Sequence, residues 1–379
     1  MNKKGVSRRY DLDWLKVIAT LFVFLYHCSM YFNPFTWHVK NNQLDNGIIL
    51  TISLLIGIWI MPLFFVLSGI STSYSLSKRN AKSYLLERFI RLGIPLLFGI
   101  FILSPPQVYI ERLDHSQFSD SFLAFIPHYF NGFYLEIGGS GNFAFVGLHL
   151  WYLLALLIFS IITMPLLLKF QPIKQVSFYQ FIFIPIAFTL VSIFSMTVNL
   201  GGWDLLVYLI LFLVGYFFFS SNSILRLIQQ KLSYLLIITI ISLSTYIIWF
   251  HLGVPEKSNN SYFIFVFLSV ISSWNLILSF YYLTFKYLSF TNTTLKYCSE
   301  AAMPFYVLHQ PIIVLIGFMI KDLQWPILIK FPVLIFVSFI LIGTIYHFVI
   351  RHFNVLRILF GMKGKGNPNK TVKRNSILA

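Results

Sequence analysis

Apolar stretches of 18 residues or more recur along the whole of this 379-residue chain. Inside a bilayer every backbone N–H and C=O must be satisfied within its own segment, so such stretches can only be membrane-crossing helices. A β-barrel would show short alternating segments instead, and the sequence has none. We place spans at 12–32, 48–76, 92–110, 148–168, 180–199, 203–221, 234–253, 262–285, 301–320 and 331–350. The expected fold class is therefore an all-α polytopic membrane protein, with about ten transmembrane helices in one bundle. Residues 1–350 form the expected transmembrane domain, and 351–379 a basic, partly disordered tail. The first apolar run is long and no small-residue cleavage site follows it, so it reads as an uncleaved helix.

The formal net charge of +16 would invite a nucleic-acid partner were it not for where the charge lies. With ten spans, 22 of the Lys and Arg residues fall on the side of the termini and five on the other, with Lys16 inside the membrane. The positive-inside rule then makes both termini cytoplasmic, and the excess charge is topology together with attraction to anionic lipid. No nucleic-acid partner is expected. No Walker loop, HExxH, paired CxxC or dinucleotide fingerprint appears, so no metal site is expected. Cys28 and Cys298 should sit near opposite faces of the membrane, too far apart to bridge.

Ionisable groups inside spans are expensive and tend to mark function. Lys16 and His27 lie eleven residues apart on the first span. That is roughly three turns plus 20°, so they share one face about 16 Å apart along the axis. A neutral His27 can take a proton from an alcohol, as acyl transfer to a hydroxyl requires, or it can serve as a polar tie between helices. Lys16 can hold an anionic co-substrate or snorkel to lipid phosphates, and Asp13 at i−3 can neutralise it. Cys28 diverges from His27 by about 100°, which argues against an acyl-thioester intermediate.

Further polar groups cluster at the span ends. Arg88 and Arg91, three apart in the basic stretch 78–91, could fork onto phosphates, although a positive-inside loop has the same composition. His149 and Trp151 open the fourth span at its outer edge, where they could meet a substrate or form an interfacial belt. His309 lies near mid-depth beside Pro311, which frees a backbone carbonyl near residue 307. The outward segment 111–147 is long enough to be functional, either as a recognition loop for a sugar-like acceptor or as a packed cap.

Five motifs run in order along the chain: Leu12-Asp13-Trp14-Leu15-Lys16 with His27 eleven residues after the lysine, Phe64-Phe65-Val66-Leu67-Ser68-Gly69, Glu87-Arg88-Phe89-Ile90-Arg91 with Gly93-Ile94-Pro95, His149-Leu150-Trp151-Tyr152-Leu153, and Tyr306-Val307-Leu308-His309-Gln310-Pro311. Together they resemble the acyltransferase 3 family of integral membrane O-acyltransferases over about residues 10–350. Pro106-Gln107 and Thr36-Trp37-His38-Val39 resemble its glucan biosynthesis protein C-like branch.

The resemblance implies transfer of an acetyl or succinyl group from cytoplasmic acyl-CoA (acetyl-CoA or succinyl-CoA) to a hydroxyl of an extracytoplasmic glycan or glycolipid. The setting it implies is the bacterial cytoplasmic (inner) membrane. His27, Lys16 and Asp13 become the expected catalytic groups, with Lys16, Arg88 and Arg91 on the co-substrate and His149, Trp151 and His309 on the acceptor. Membrane lipids are the other expected partners, and homo-oligomerisation is left open. The alternative is a secondary transporter or glycan flippase that uses Lys16 and His27 as a polar relay.

Overall fold

The computed structural model describes residues 8–195, 197–221 and 223–365. Ten apolar helices run in the order α1 (Tyr10–Met30), α2 (Ile48–Leu76), α3 (Ala81–Asp114), α4 (Leu148–Ile162), α5 (Phe178–Phe194), α6 (Leu205–Phe217), α7 (Ser223–Leu252), α8 (Asn260–Tyr287), α9 (Thr293–Ile320) and α10 (Ile327–Ile350). Seven are long and apolar enough to cross a membrane, while α4, α5 and α6 are shorter. They coincide with the ten segments read from the sequence, apart from their ends. α3 begins at Ala81 rather than 92, so Arg88 and Arg91 lie on a helix; α7 begins at Ser223 and carries Arg226 and Lys231. Residues 354–359 of the expected tail form a further short helix, whose buried Arg357 donates to Glu300 at 2.7 Å. Lys3, Lys4 and the tail beyond 365 lie outside the described residues.

α1 is the axis of the bundle, flanked by α2, α8, α9 and α10. α2 meets α6 with no side chain between them. A Cβ on Gly69 would stand 2.0 Å from the Phe212 carbonyl oxygen, and one on Gly215 2.2 Å from that of Val66. Small residues that let backbones touch are how helices associate where lipid is as apolar as leucine. Gly69→Ala must therefore push α2 and α6 apart. The expected cost is about 1–3 kcal/mol, read as a lowered melting temperature in detergent; an unchanged midpoint would contradict the close approach.

α3 contains two π-helical turns, Phe89–Gly93 and Gly99–Leu103. Each ends just before a proline (Pro95, Pro105) whose missing N–H already breaks the α ladder. The segment after α3 is a folded lid with its own small core of Val108, Phe125, Tyr129, Tyr134, Ala144 and Leu148. Tyr129 ties it to α3 by donating to the Ile100 carbonyl at 2.7 Å. Between α5 and α6 the chain makes a short antiparallel hairpin, β1 (Asn199–Leu200) and β2 (Trp203–Asp204).

Candidate functional site

Lys16, Thr20, Val23 and His27 stand at i, i+4, i+7 and i+11 on α1, a single stripe facing the bundle interior. At its basic end the stripe opens into a cavity of about 370 Å³ lined by Lys16 and Thr20, by Ser68 and Ser71 of α2, by Arg79, Arg88 and Arg91, and by Tyr152 and Tyr306. Lys16 Nζ donates to Ser71 Oγ at 2.8 Å. Arg88 is held by Tyr84 Oη at 2.9 Å and Thr72 Oγ1 at 2.8 Å. Arg91 and Arg79 flank Glu87, with Arg91 at 3.8 Å. Four cations against one carboxylate leave the chamber lining net positive, and guanidinium forks of this kind can bind phosphate. Gly361 lies at its rim, where Arg91 Nε donates to the Gly361 carbonyl at 3.4 Å.

Beyond the cavity three histidines from three helices converge. His27 and His309 have ring centroids 4.7 Å apart, and His309 and His149 are 5.0 Å apart. Their partners assign the tautomers. His27 Nδ1 faces the Val23 carbonyl at 2.8 Å and so carries a proton; His309 Nδ1 likewise faces the Tyr306 carbonyl at 2.5 Å. His309 Nε2 is then an acceptor, 3.2 Å from His27 Nδ1. The lone pair of His27 is left on Nε2, which has no protein partner among the described residues. An imidazole with Nδ1 fixed on a carbonyl and Nε2 unprotonated can accept a proton at Nε2.

Pro311 orients the third histidine. Its missing N–H frees the Val307 carbonyl, and His149 Nε2 donates to that oxygen at 3.2 Å. Tyr306 Oη donates in turn to the His149 carbonyl at 2.6 Å. His149 Nδ1 is buried and unpartnered. Tyr306 lines the cavity and its ring packs 5.6 Å from that of His309. Tyr306 is thus the residue that both lines the anion chamber and touches the histidine cluster.

A second polar network lies under the lid. Glu111 receives hydrogen bonds from His38 at 2.5 Å, Tyr134 at 2.7 Å, Arg112 at 3.0 Å and the Gly138 amide at 2.9 Å. Burial, with the Glu111 carboxylate beside it, holds the Tyr134 phenol far above its usual range, so it stays a donor. Gln310 Nε2 meets His38 Nε2 at 3.1 Å and Gln107 Oε1 at 3.2 Å. Trp37 bridges the two networks, its ring 5.2 Å from His27 and 5.1 Å from His38.

Two expected site residues are elsewhere. Asp13 makes no direct ion pair with Lys16 among the described residues; its carboxylate is taken by Arg8 at 2.8 Å, near the surface. Trp151 packs on Tyr208 and Phe65, with centroids 5.5 and 6.1 Å away, because successive residues at the start of α4 diverge by about 100°. Its neighbour Tyr152 lines the cavity instead and pairs with Ser68 at 2.7 Å. The sequence gives no site role to Ser68, Tyr306 or His38, reads Tyr152 with Trp151 as an interfacial aromatic pair, and offers Glu111 only as one polar group of the 111–147 segment. Ser68 and Tyr306 were visible as polar groups in apolar runs, whereas Glu111 sat among loop charges and looked ordinary.

A family model described as an acyltransferase domain, that of acyltransferase 3, matches residues 9–347. Glucans biosynthesis protein C of Escherichia coli strain K12 is 32% identical over 108 residues, a stretch covering 28% of this chain and 28% of that protein. The same-named proteins of E. coli O9:H4 and O139:H28 match to the same extent. The matched stretch thus spans less than a third of the length of these curated relatives. No solved structure matches the chain.

Proposed function

This chain belongs to the acyltransferase 3 family, and we propose that it moves an acyl group, acetyl or succinyl, from cytoplasmic acyl-CoA to a hydroxyl of an extracytoplasmic glycan or glycolipid. The observation that carries the proposal is the stripe on α1. An anion chamber with Lys16, Arg88 and Arg91 lies at one end and a carbonyl-fixed imidazole, His27, lies further along the same face. The basic end is cytoplasmic by the positive-inside rule, in the inner membrane of a bacterium. Likeness to proteins named for glucan biosynthesis favours a glycan acceptor.

The chamber holds the phosphates of CoA, and the thioester arm reaches inward past Tyr306. His27 Nε2 takes the acceptor's hydroxyl proton as the oxygen attacks the thioester carbonyl. The carbon–sulfur bond breaks and the CoA thiolate leaves, taking up a proton to become the thiol. His309 holds the His27 ring and is a positioning residue. Lys16 serves the co-substrate in the chamber and His149, beside His309, is kept for the acceptor, while no step is assigned to Asp13 or Trp151.

Purified protein in lipid, incubated with radiolabelled acetyl-CoA or succinyl-CoA and candidate glycans, tests the proposal. Label on a sugar supports it, while glycan movement across the bilayer without acyl-CoA consumption would make the chain a transporter. Arg88→Ala removes a charge-assisted phosphate contact worth about 1.5–3 kcal/mol. It is expected to raise KM for acyl-CoA at least tenfold with kcat little changed; an unaltered KM would remove Arg88 from the co-substrate site.

A further inference from the structure

The outer end of the bundle holds a second cavity, of about 390 Å³, that the transfer chemistry does not use. It lies between α1, α2, α7 and α8, and the β1–β2 hairpin forms one wall. Asn199 and Asp204 are direct partners across the hairpin, so their side chains leave the same face with Cβ atoms about 4.5–5.5 Å apart. The turn is Gly201-Gly202, with φ of +59° and +90°. A Cβ on Gly202 would meet open space, so backbone conformation rather than crowding calls for glycine there.

Asp204 Oδ1 accepts from Thr197 at 3.1 Å. The buried Ser192 hydroxyl has no hydrogen-bond partner among the described residues, and the Asn199 carboxamide is exposed. The facing wall is aromatic: Tyr246 and Phe265 lie 4.9 Å apart at 33°, with Phe250 beside them. An aromatic surface opposite an adjacent carboxylate and carboxamide matches a pyranose, whose C–H face is apolar and whose neighbouring hydroxyls both donate and accept. Asp204 is the one charged residue in the lining among the described residues, which disfavours an anionic sugar. The cavity also abuts the proposed base. Tyr26 lines it, and the Tyr26 ring packs edge-on against His27 with centroids 5.5 Å apart.

We propose that this cavity is a subsite for a neutral sugar unit of the acceptor, its neighbouring hydroxyls gripped by Asn199 and Asp204 and the Tyr26 ring separating it from His27. The assignment rests on the acyltransferase proposal for its link to His27, but its occupancy can be read without catalysis. Ser269 lines the cavity from α8. Full-length Ser269→Cys protein in a Cys298→Ser background, in lipid nanodiscs, is labelled with a membrane-impermeant maleimide. A soluble neutral glucan oligosaccharide is expected to slow labelling at least threefold, and a uronic-acid oligosaccharide of equal length to leave it unchanged. Equal labelling with and without the glucan would overturn the subsite, as would equal protection by both sugars. Protection by the glucan in a protein that transfers no acyl group would keep the subsite and sink the enzyme. In the active enzyme, Asp204→Asn should raise KM for the glycan about tenfold while KM for acyl-CoA stays within twofold. A glycan KM that does not move, with acyl-CoA KM intact, would overturn the role of the hairpin.

Discussion

Replacing His27 by alanine is expected to lower acyl transfer by about 10³-fold, within the 10²–10⁴ range typical of a lost general base. The protein should still insert and fold, because the ring is not fully buried and its partners are a carbonyl of its own helix and one imidazole. Binding of CoA in the chamber should be unaffected, since His27 does not line it. Single-turnover acyl transfer beside CoA titration separates these two effects. Loss of both would mean that the substitution unfolds the bundle, and retention of transfer would remove His27 from the chemistry. Replacing His309 should cost less, because it orients the base without receiving the substrate proton.

The largest loss of stability is expected at Glu111. Its carboxylate is fully buried and takes four hydrogen bonds, one of them from the equally buried Arg112. Removing one partner of a buried ion pair leaves the other charge uncompensated and costs about 3–5 kcal/mol. Glu111→Ala should therefore lower the melting temperature markedly and expose the lid over 115–147 to protease. Glu111→Gln retains an acceptor oxygen and should lose less. Wild-type protease resistance in the alanine variant would show that the lid does not depend on this carboxylate. Because Trp37 packs on both His38 and His27, the lid also props the proposed base, and the surviving Glu111→Ala protein should transfer acyl groups slowly.

Much of the architecture could be read from the sequence because hydrocarbon permits so few solutions. Runs such as Ile48–Leu76 and Ile327–Ile350 have no other folded form in lipid. The face shared by Lys16 and His27 followed from helical periodicity alone, and so did the carbonyl freed by Pro311. α3 resisted for a physical reason. Each π turn adds one residue to a turn and sets the rest of the helix back by about 100°. Residues past Leu103 therefore stand about 200° from where an unbroken helix would put them. A helical wheel drawn from the sequence thus misplaces every residue of α3 past Gly93. Tyr152 and Trp151 show the opposite limit, since nothing in their order says which neighbour faces the cavity. The convergence of His27, His149 and His309 is a product of packing among α1, α4 and α9, which no local pattern encodes.

A proline in a spanning helix is ordinarily counted as a defect, a rung missing from a ladder. In α9 the missing rung is supplied from outside, by a ring on a neighbouring strut. The aim of His149 is consequently written at position 311. Any residue there with an amide hydrogen would give Val307 a closer donor on its own helix, and the imidazole of α4 would lose its anchor with no change to the histidine.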